Sequence, residues 1–215
     1  MKTTLRIGWT LALLAALCGC STVYYGTMEK FGQEKRDILV KRVGKARDAQ
    51  QETQEVFQDA LEQFGATVKF DGGDLQKQYD RTSAELARCE GRAEEVHARI
   101  GDVERVARDL FREWAAETKQ YQNAQYRRDS EAKLRDTQRN CDRMLDAMRN
   151  AESKIEPVLS VFRDQVLYLK HNLNAKALAS LQDESARIEM DVNALLKDLS
   201  TAIAEADRFI QTMAN

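Results

Sequence analysis

The two histidines of the chain, His97 and His171, are its clearest candidates for catalysis or metal binding. Glu94-Glu95-Val96-His97 contains the Glu-x-x-His spacing that di-iron helical bundles use. Such a site needs a second copy of the motif and two further glutamates, but the residue three before His171 is Tyr168. We therefore expect no metal at His97 and a solvated imidazole there. His171 is expected to stabilise the C-terminus of a helix, where a cation is favoured.

Two cysteines in the middle of the chain, Cys89 and Cys141, lie on apolar heptad positions and are expected to be small buried hydrophobic residues. An oxidising compartment favours disulfides. If two helices turn near Gln125, however, the two cysteines lie ~30 Å apart along them. A disulfide needs Cα atoms within about 7 Å. We expect no disulfide between these two cysteines of one chain. The sequence does not decide whether either cysteine forms a disulfide with a second chain.

The sequence contains none of the common catalytic patterns. Glycine-rich phosphate loops, a Ser-His-Asp order and a Cys-x-x-Cys pair are all absent. Trp114, Phe162 and Phe209 lie at heptad spacing, which predicts core positions rather than a ligand pocket. The net charge of -2 argues against a nucleic-acid binder, whose domain is usually strongly basic. We expect neither an enzyme nor a cofactor.

The beginning of the chain has the pattern of a bacterial lipoprotein signal. Lys2 and Arg6 precede an apolar segment at residues 7–17, which is too short to span a bilayer comfortably. The following Leu17-Cys18-Gly19-Cys20 resembles a lipobox. This resemblance implies cleavage before Cys20, diacylation of its sulfur and acylation of its new amino group. A plain cleaved signal or an uncleaved anchor is the alternative.

A lipidated Cys20 would tether the mature chain stably, because two or more acyl chains give firm anchoring. Ser21 follows the cysteine where an Asp would favour the inner membrane, so the resemblance implies the outer membrane, facing the periplasm. The inner membrane or the periplasm is the alternative. The predicted divisions are a signal peptide at 1–19, a tether at 20–28 and a helical domain at 29–215. Loss of Lys2 and Arg6, and of no acid, takes the formal charge from -2 to -4.

Composition and periodicity predict long helices. Charged residues make up 32 % of the chain, aromatic residues 7 %, and there is one proline, Pro157. Apolar seams with heptad spacing run from Leu39 to Phe64, from Leu75 to Tyr121, from Leu134 to Leu169 and from Leu178 to Leu199. Leu173 is expected to join the third seam. Since that seam continues past Pro157, we expect a kink there rather than a helix end.

Polar and glycine residues predict where the helices end. Gly65 is expected to close the first helix, and Asp74 to cap the second after the turn signal Asp71-Gly72. Asp129 or Ser130 is expected to cap the third helix. A left-handed Asn172 would end the third helix, and Asn174 would cap the fourth.

Four helices of similar length with short links favour an elongated, antiparallel four-helix bundle or coiled coil, up-down-up-down. A three-helix rod with a splayed N-terminal helix is the alternative.

Four stretches of the mature chain carry a family resemblance. They are DQVLYLKHNLNA at residues 164–175, Tyr24-Tyr25 with Glu29-Lys30-Phe31-Gly32, KRDILV at 35–40, and LFREW at 110–114. Together they resemble the bacterial lipoprotein family known as domain of unknown function 2959, over nearly the whole mature chain. The resemblance implies a helical, coiled-coil-rich protein of the cell envelope, and no activity or functional residues.

We therefore expect a non-enzymatic envelope lipoprotein that acts as a structural or protein-interaction rod in the periplasm. Its expected partners are the membrane, through the lipid, and an unidentified envelope protein or a second copy of itself, but no nucleic acid. The alternative is a periplasmic carrier or chaperone that holds an apolar ligand or client between the helices. That alternative predicts a gap lined by Trp114, Met144 and Met148.

Overall fold

Four α-helices make up the computed structural model, which describes the backbone of residues 4–70, 72 and 74–214. Side chains are described for residues 35–70, 72, 74–174 and 178–214. The helices are α1 (Thr4–Val68), α2 (Leu75–Thr118), α3 (Ala124–His171) and α4 (Ala175–Ala214). α1 has 65 residues and is longer than expected, because it runs without a break from the predicted signal peptide and tether into the helical domain.

The helices form the predicted up-down-up-down bundle. α1 packs against α2 and α4, and α3 packs against the same two helices. The links at 69–74, 119–123 and 172–174 are too short to let neighbours run parallel. Contacts between α1 and α2 show the opposed directions, because Lys35 pairs with Glu113 while Arg42 pairs with Asp102 at 3.1 Å. The three-helix rod is therefore not the fold, since α1 belongs to the bundle.

A single apolar core runs along the bundle and contains the predicted seams. Ile100 and Ile188 are 2 % exposed or less, and Leu195 has no exposed surface. Phe162 of α3 contacts two rings of α1, with ring centroids 6.4 Å from both Phe57 and Phe64. α3 continues through Pro157, as the unbroken seam predicted.

The link between α1 and α2 was predicted in part. Gly65 does not close α1, which continues to Val68. Glycine ends a helix by adopting a left-handed conformation, and Gly65 instead keeps helical hydrogen bonding, since its carbonyl accepts from the N–H of Lys69 at 3.3 Å. Asp74 is confirmed as the N-cap of α2, because its side chain accepts a hydrogen bond from the N–H of Lys77.

The start of α3 was predicted wrongly. Asn123 caps the helix, and its side-chain oxygen accepts hydrogen bonds from the N–H groups of Gln125 and Tyr126. Asp129 and Ser130, the predicted caps, lie inside the helix. The apolar seam of α3 begins only at Leu134, so the first turns of the helix had no periodic signal. Tyr121 falls in the link rather than in the seam of α2 and is 43 % exposed.

The corner between α3 and α4 also differs from the prediction. Asn172 follows α3 as expected, but with φ -136° and ψ 61° rather than a left-handed conformation. Its side-chain amide instead donates to the carbonyl of Tyr168 at 3.0 Å. Leu173 leaves the seam and is 36 % exposed, because the helix that carried the seam has already ended. Asn174 precedes α4, and its carbonyl accepts from the N–H of Leu178 at 3.4 Å.

One polar side chain is out of place in this core. Gln50 of α1 has no exposed surface, and no described residue forms a hydrogen bond with either its amide nitrogen or its amide oxygen. The nearby Thr53 is also buried, but its hydroxyl donates to the carbonyl of Ala49 at 2.7 Å. A buried amide without partners costs about 1–3 kcal/mol, so Gln50 lowers the free energy of unfolding of this protein.

Replacing Gln50 with Met keeps the unbranched shape and removes the polar atoms. We expect Gln50→Met to raise the free energy of unfolding by about 1–2 kcal/mol, measured by urea denaturation followed by circular dichroism. The matched control is Gln54→Met, since Gln54 is half-buried on the same helix and its amide already donates to Ser200 at 2.9 Å; it should bring no gain. A loss of stability in Gln50→Met would show that the amide is satisfied in the folded protein.

Candidate functional site

Cys20, the predicted lipidation site, lies in α1, and its side chain is outside the described part of the chain. Its lipidation stays a prediction, as do the signal peptide at 1–19 and the tether at 20–28. None of the helices that the structure describes combines the length and apolar character needed to cross a membrane. Cys20 lies about 22 Å beyond Lys35 along the helix axis, at 1.5 Å per residue, so it is at the same end of the bundle as the link between α2 and α3.

A cluster of contacts joins α1 to the other helices at this end. Arg36 lies over the ring of Trp114, 4.4 Å from its centroid. The indole N–H donates to Ser130 of α3 at 3.0 Å, and the hydroxyls of Ser130 and Thr118 lie 2.9 Å apart. Burial, together with Glu113, raises the pKa of Glu117 here. Three helices are thus tied together at the end where α1 continues towards Cys20.

Sequence reasoning placed Trp114 in the core, but the residue is half-buried and has both cationic and polar contacts. Phe162 and Phe209 are core residues as predicted, 4 % and 2 % exposed. The pattern of α2 alone gives no sign of the cation, because Arg36 belongs to a different helix.

The link between α2 and α3, with the first turn of α3, forms an exposed surface that we call the hairpin tip (residues 119–128). All ten of its residues are exposed, including Tyr121 at 43 % and Tyr126 at 61 %. Arg127 donates to the carbonyl of Tyr121 at 2.7 Å, which fixes the link against the helix. The tip carries three basic residues and no acidic one.

The opposite end of the bundle has a different surface, the apolar corner (Leu167, Tyr168 and Leu173). Leu167 is 55 % exposed, Tyr168 39 % and Leu173 36 %. These side chains come from the last turns of α3 and the link to α4. The sequence-based prediction for this link rested on Asn172 and Asn174, and counting Leu173 as a seam residue concealed the apolar surface.

In the described part of the chain, no three or more His, Cys, Asp and Glu side chains are grouped as metal ligands would be. The His97 side chain is 74 % exposed, and its Nδ1 lies 2.6 Å from a carboxylate oxygen of Glu152. Arg149 pairs with the same carboxylate at 2.6 Å. His97 is thus a surface residue in a polar network that joins α2 to α3. His171 is exposed in the last turn of α3, as expected.

The two cysteines are free and fully buried, as predicted. Arg163 pairs with Glu90 at 2.7 Å, so Cys89 lies near the level of Arg163. Cys141 precedes Arg163 by 22 residues, which is roughly 30 Å along the helix and excludes a bridge within the chain. Burial raises the pKa of both thiols to about 12. Since the thiolate is the reactive form, neither cysteine is prepared for nucleophilic chemistry.

We expect both thiols to be unreactive in the folded protein. In a mature chain carrying Cys20→Ser, Ellman's reagent at pH 8 should detect no thiol within minutes and two after unfolding in guanidinium. Adding Gln122→Cys at the exposed tip is the matched control and should contribute one fast thiol. Fast reaction of Cys89 or Cys141 would contradict their burial.

The raised pKa values also link these thiols to the pH dependence of stability. A buried thiol with a folded-state pKa near 12 holds its proton more tightly than it does in the unfolded chain, where the pKa is about 8.5. Its contribution to stability is therefore complete below about pH 8.5 and lost as the pH rises towards 12. Alanine at both positions should flatten the fall in stability over this range.

The gap that the carrier hypothesis requires is not found at its predicted residues. Met144 and Met148 have no exposed surface, so no space that admits a water molecule adjoins them, and the third predicted residue, Trp114, is half-buried. A shallow cleft lies elsewhere, between α1, α2 and α3, lined by residues that include Phe64, Leu86 and Phe162.

One comparison with known proteins gives a match. A family model described as "Protein of unknown function (DUF2959)" matches residues 24–213, which is most of the chain. No curated protein and no solved structure matches this chain significantly.

Proposed function

The chain belongs to the DUF2959 family of proteins of unknown function, and we propose that it is a lipid-anchored, non-enzymatic rod of the bacterial cell envelope that meets a protein partner at its far end. Its predicted place is the periplasmic face of the outer membrane. The observation that carries the proposal is Cys20 within Leu17-Cys18-Gly19-Cys20-Ser21, directly after a short apolar segment and at one end of a long bundle.

The dimensions of the bundle support the role of a spacer. From Cys20 to Val68, α1 rises about 72 Å at 1.5 Å per residue. Val68 is at the end of the bundle that also holds the apolar corner, since Arg88 of α2 pairs with Asp59 of α1 at 3.3 Å and the neighbouring Glu90 pairs with Arg163 of α3. A lipid on Cys20 would thus hold the apolar corner on the order of 70 Å from the membrane surface.

The exposed side chains of the apolar corner support the proposal that this end of the bundle contacts a protein. Its three side chains are among the few large hydrophobic residues that are substantially exposed, and they lie within seven positions of one another. Exposed apolar residues that are grouped, unlike single ones, commonly mark interaction surfaces.

Replacing Cys20 with Ala tests the anchor. We expect the protein to move from the membrane fraction to unprocessed precursor or soluble protein, because the acyl chains have no attachment site. Mass spectrometry of the wild-type mature N-terminus should show an acylated Cys20. Cys18→Ala is the matched control, two residues away, and should be processed and lipidated normally. Membrane-bound, lipid-modified protein in the Cys20→Ala strain would refute the anchor.

The partner can be sought with a photo-crosslinking amino acid placed at Leu167 in living cells. We expect one discrete adduct, whose mass identifies either a second copy of the chain or another envelope protein. Arg143, which is exposed on α3 midway along the bundle, is the control position and should give no such adduct. The adduct at position 167 should disappear when Tyr168 and Leu173 are changed to Ser. Failure to form any adduct at the corner would remove the interaction part of the proposal.

A further inference from the structure

The positive charge of the hairpin tip is not neutralised by ion pairs within the described part of the protein. Lys119, Arg127 and Arg128 form no ion pair among the described residues. Arg127 donates to a backbone carbonyl, and Arg128 donates to the neutral amide oxygen of Gln125 at 2.8 Å. The nearest ion pairs along the two helices are Glu113 with Lys35 on the α2 side and Glu131 with Arg135 on the α3 side. The cations of the tip therefore keep their charge available for an external anion.

Two tyrosines accompany these cations. Tyr126 is 61 % exposed, more than any of the chain's other described large hydrophobic or aromatic residues except Met190 at 65 %, and Tyr121 is 43 % exposed. Tyrosine combines an apolar ring with a polar hydroxyl, and such side chains are enriched at the level of lipid headgroups. Basic residues are attracted to the same level by anionic lipids.

The tip lies at the end of the bundle to which α1 brings Cys20. Glu113 is at the level of Lys35 because the two side chains are paired. The link between α2 and α3 then lies about 10 Å beyond that level, and Cys20 about 22 Å beyond it. The remaining difference of roughly 10 Å is comparable to a headgroup layer of about 5–7 Å plus the length of an arginine side chain.

We infer that the hairpin tip is a second membrane contact, in which Lys119, Arg127 and Arg128 bind anionic phospholipid headgroups and Tyr121 and Tyr126 enter the interface. This inference rests on the proposed lipid anchor for its orientation. The first acidic residues of α3, Asp129 and Glu131, follow Arg128 by one and three residues, which is about 1.5 and 4.5 Å further from the membrane along the helix axis. With two contacts at one end, the rod would be held at a defined angle instead of pivoting about a single lipid anchor.

Lipid is the occupant that the chemistry favours over a protein. The surface combines unpaired cations with amphipathic aromatic rings and has no exposed aliphatic side chain of Leu, Ile, Val or Met. The apolar corner at the opposite end has the reverse composition, with two leucines and one tyrosine. The two ends of the bundle are therefore suited to different partners.

The test uses the mature chain with the single change Cys20→Ser, so that no acyl chain contributes to binding. Co-sedimentation is measured with vesicles of phosphatidylcholine containing 30 % phosphatidylglycerol, and with phosphatidylcholine alone, at low salt. We expect binding only to the anionic vesicles. The variant Lys119→Gln/Arg127→Gln/Arg128→Gln should bind on the order of 100-fold more weakly, because each cation near an anionic surface contributes about a fivefold factor.

The matched control removes the same charge from the other end. Lys69, Lys77 and Lys170 are exposed there and form no ion pair among the described residues, so Lys69→Gln/Lys77→Gln/Lys170→Gln changes the net charge equally and should retain binding. Circular dichroism should show equal helix content in all three proteins. Equal losses in the two variants, or no binding by the parent chain, would overturn the inference.

A second readout tests the tyrosines and separates this inference from the anchor. Tyr121→Ser/Tyr126→Ser should weaken vesicle binding at least fivefold, whereas Tyr168→Ser at the corner should not. Equal behaviour of these two variants would remove the tyrosines from the contact. An acylated Cys20 together with no binding by the hairpin tip would leave the lipid tether intact and end the second contact. Tip-dependent binding with an unmodified Cys20 would support the membrane contact of the tip and refute the lipid anchor.

Discussion

Burial of one apolar seam per helix, along the full length of its neighbours, is the interaction on which this structure depends. The core is long and thin, so each helix shows one face to it and the opposite face to water. With 32 % of residues charged, the flanks of every seam carry ion pairs, such as Arg42 with Asp102 and Arg47 with Asp207. Exposed pairs each contribute only about 0–1 kcal/mol. The seams therefore supply the stability, and the charges select the alignment of neighbouring helices.

Because the core is nearly uniform along the bundle, the chemical differences of this protein are concentrated at its ends. One end presents basic residues and tyrosines around Tyr126, and the other presents leucines around Leu167. The middle of the rod offers polar networks, such as Glu152 with both His97 and Arg149, whose members satisfy one another. A function that depends on binding is for this reason best sought at the ends.

Sequence periodicity predicted the interior of the helices well and their ends poorly. Heptad spacing found the core positions of α2, α3 and α4 because burial repeats along a helix, so the pattern is visible in the sequence of that helix alone. The ends depend on single local choices. Asn123 and Asp129 are both good caps, and the structure uses Asn123, whose side chain accepts from the N–H groups of Gln125 and Tyr126. The side chain of Ser130, the other predicted cap, bonds instead to Trp114 and Thr118 of α2. Arg36 over Trp114 and the exposure of Leu173 were missed because both depend on how separate helices meet.

The stiffness of the bundle bears on the proposed role as a spacer. The 48 residues from Cys20 to Val68 would have a root-mean-square span of only about 40 Å as a flexible linker, with wide fluctuation. As a helix they span about 72 Å, and packing against α2 and α4 prevents the described part of α1 from bending freely. A flexible tether would only raise the local concentration of a binding surface near the membrane. A packed rod would instead fix the height of that surface, which is what the proposed contact with a partner at a set distance from the membrane requires.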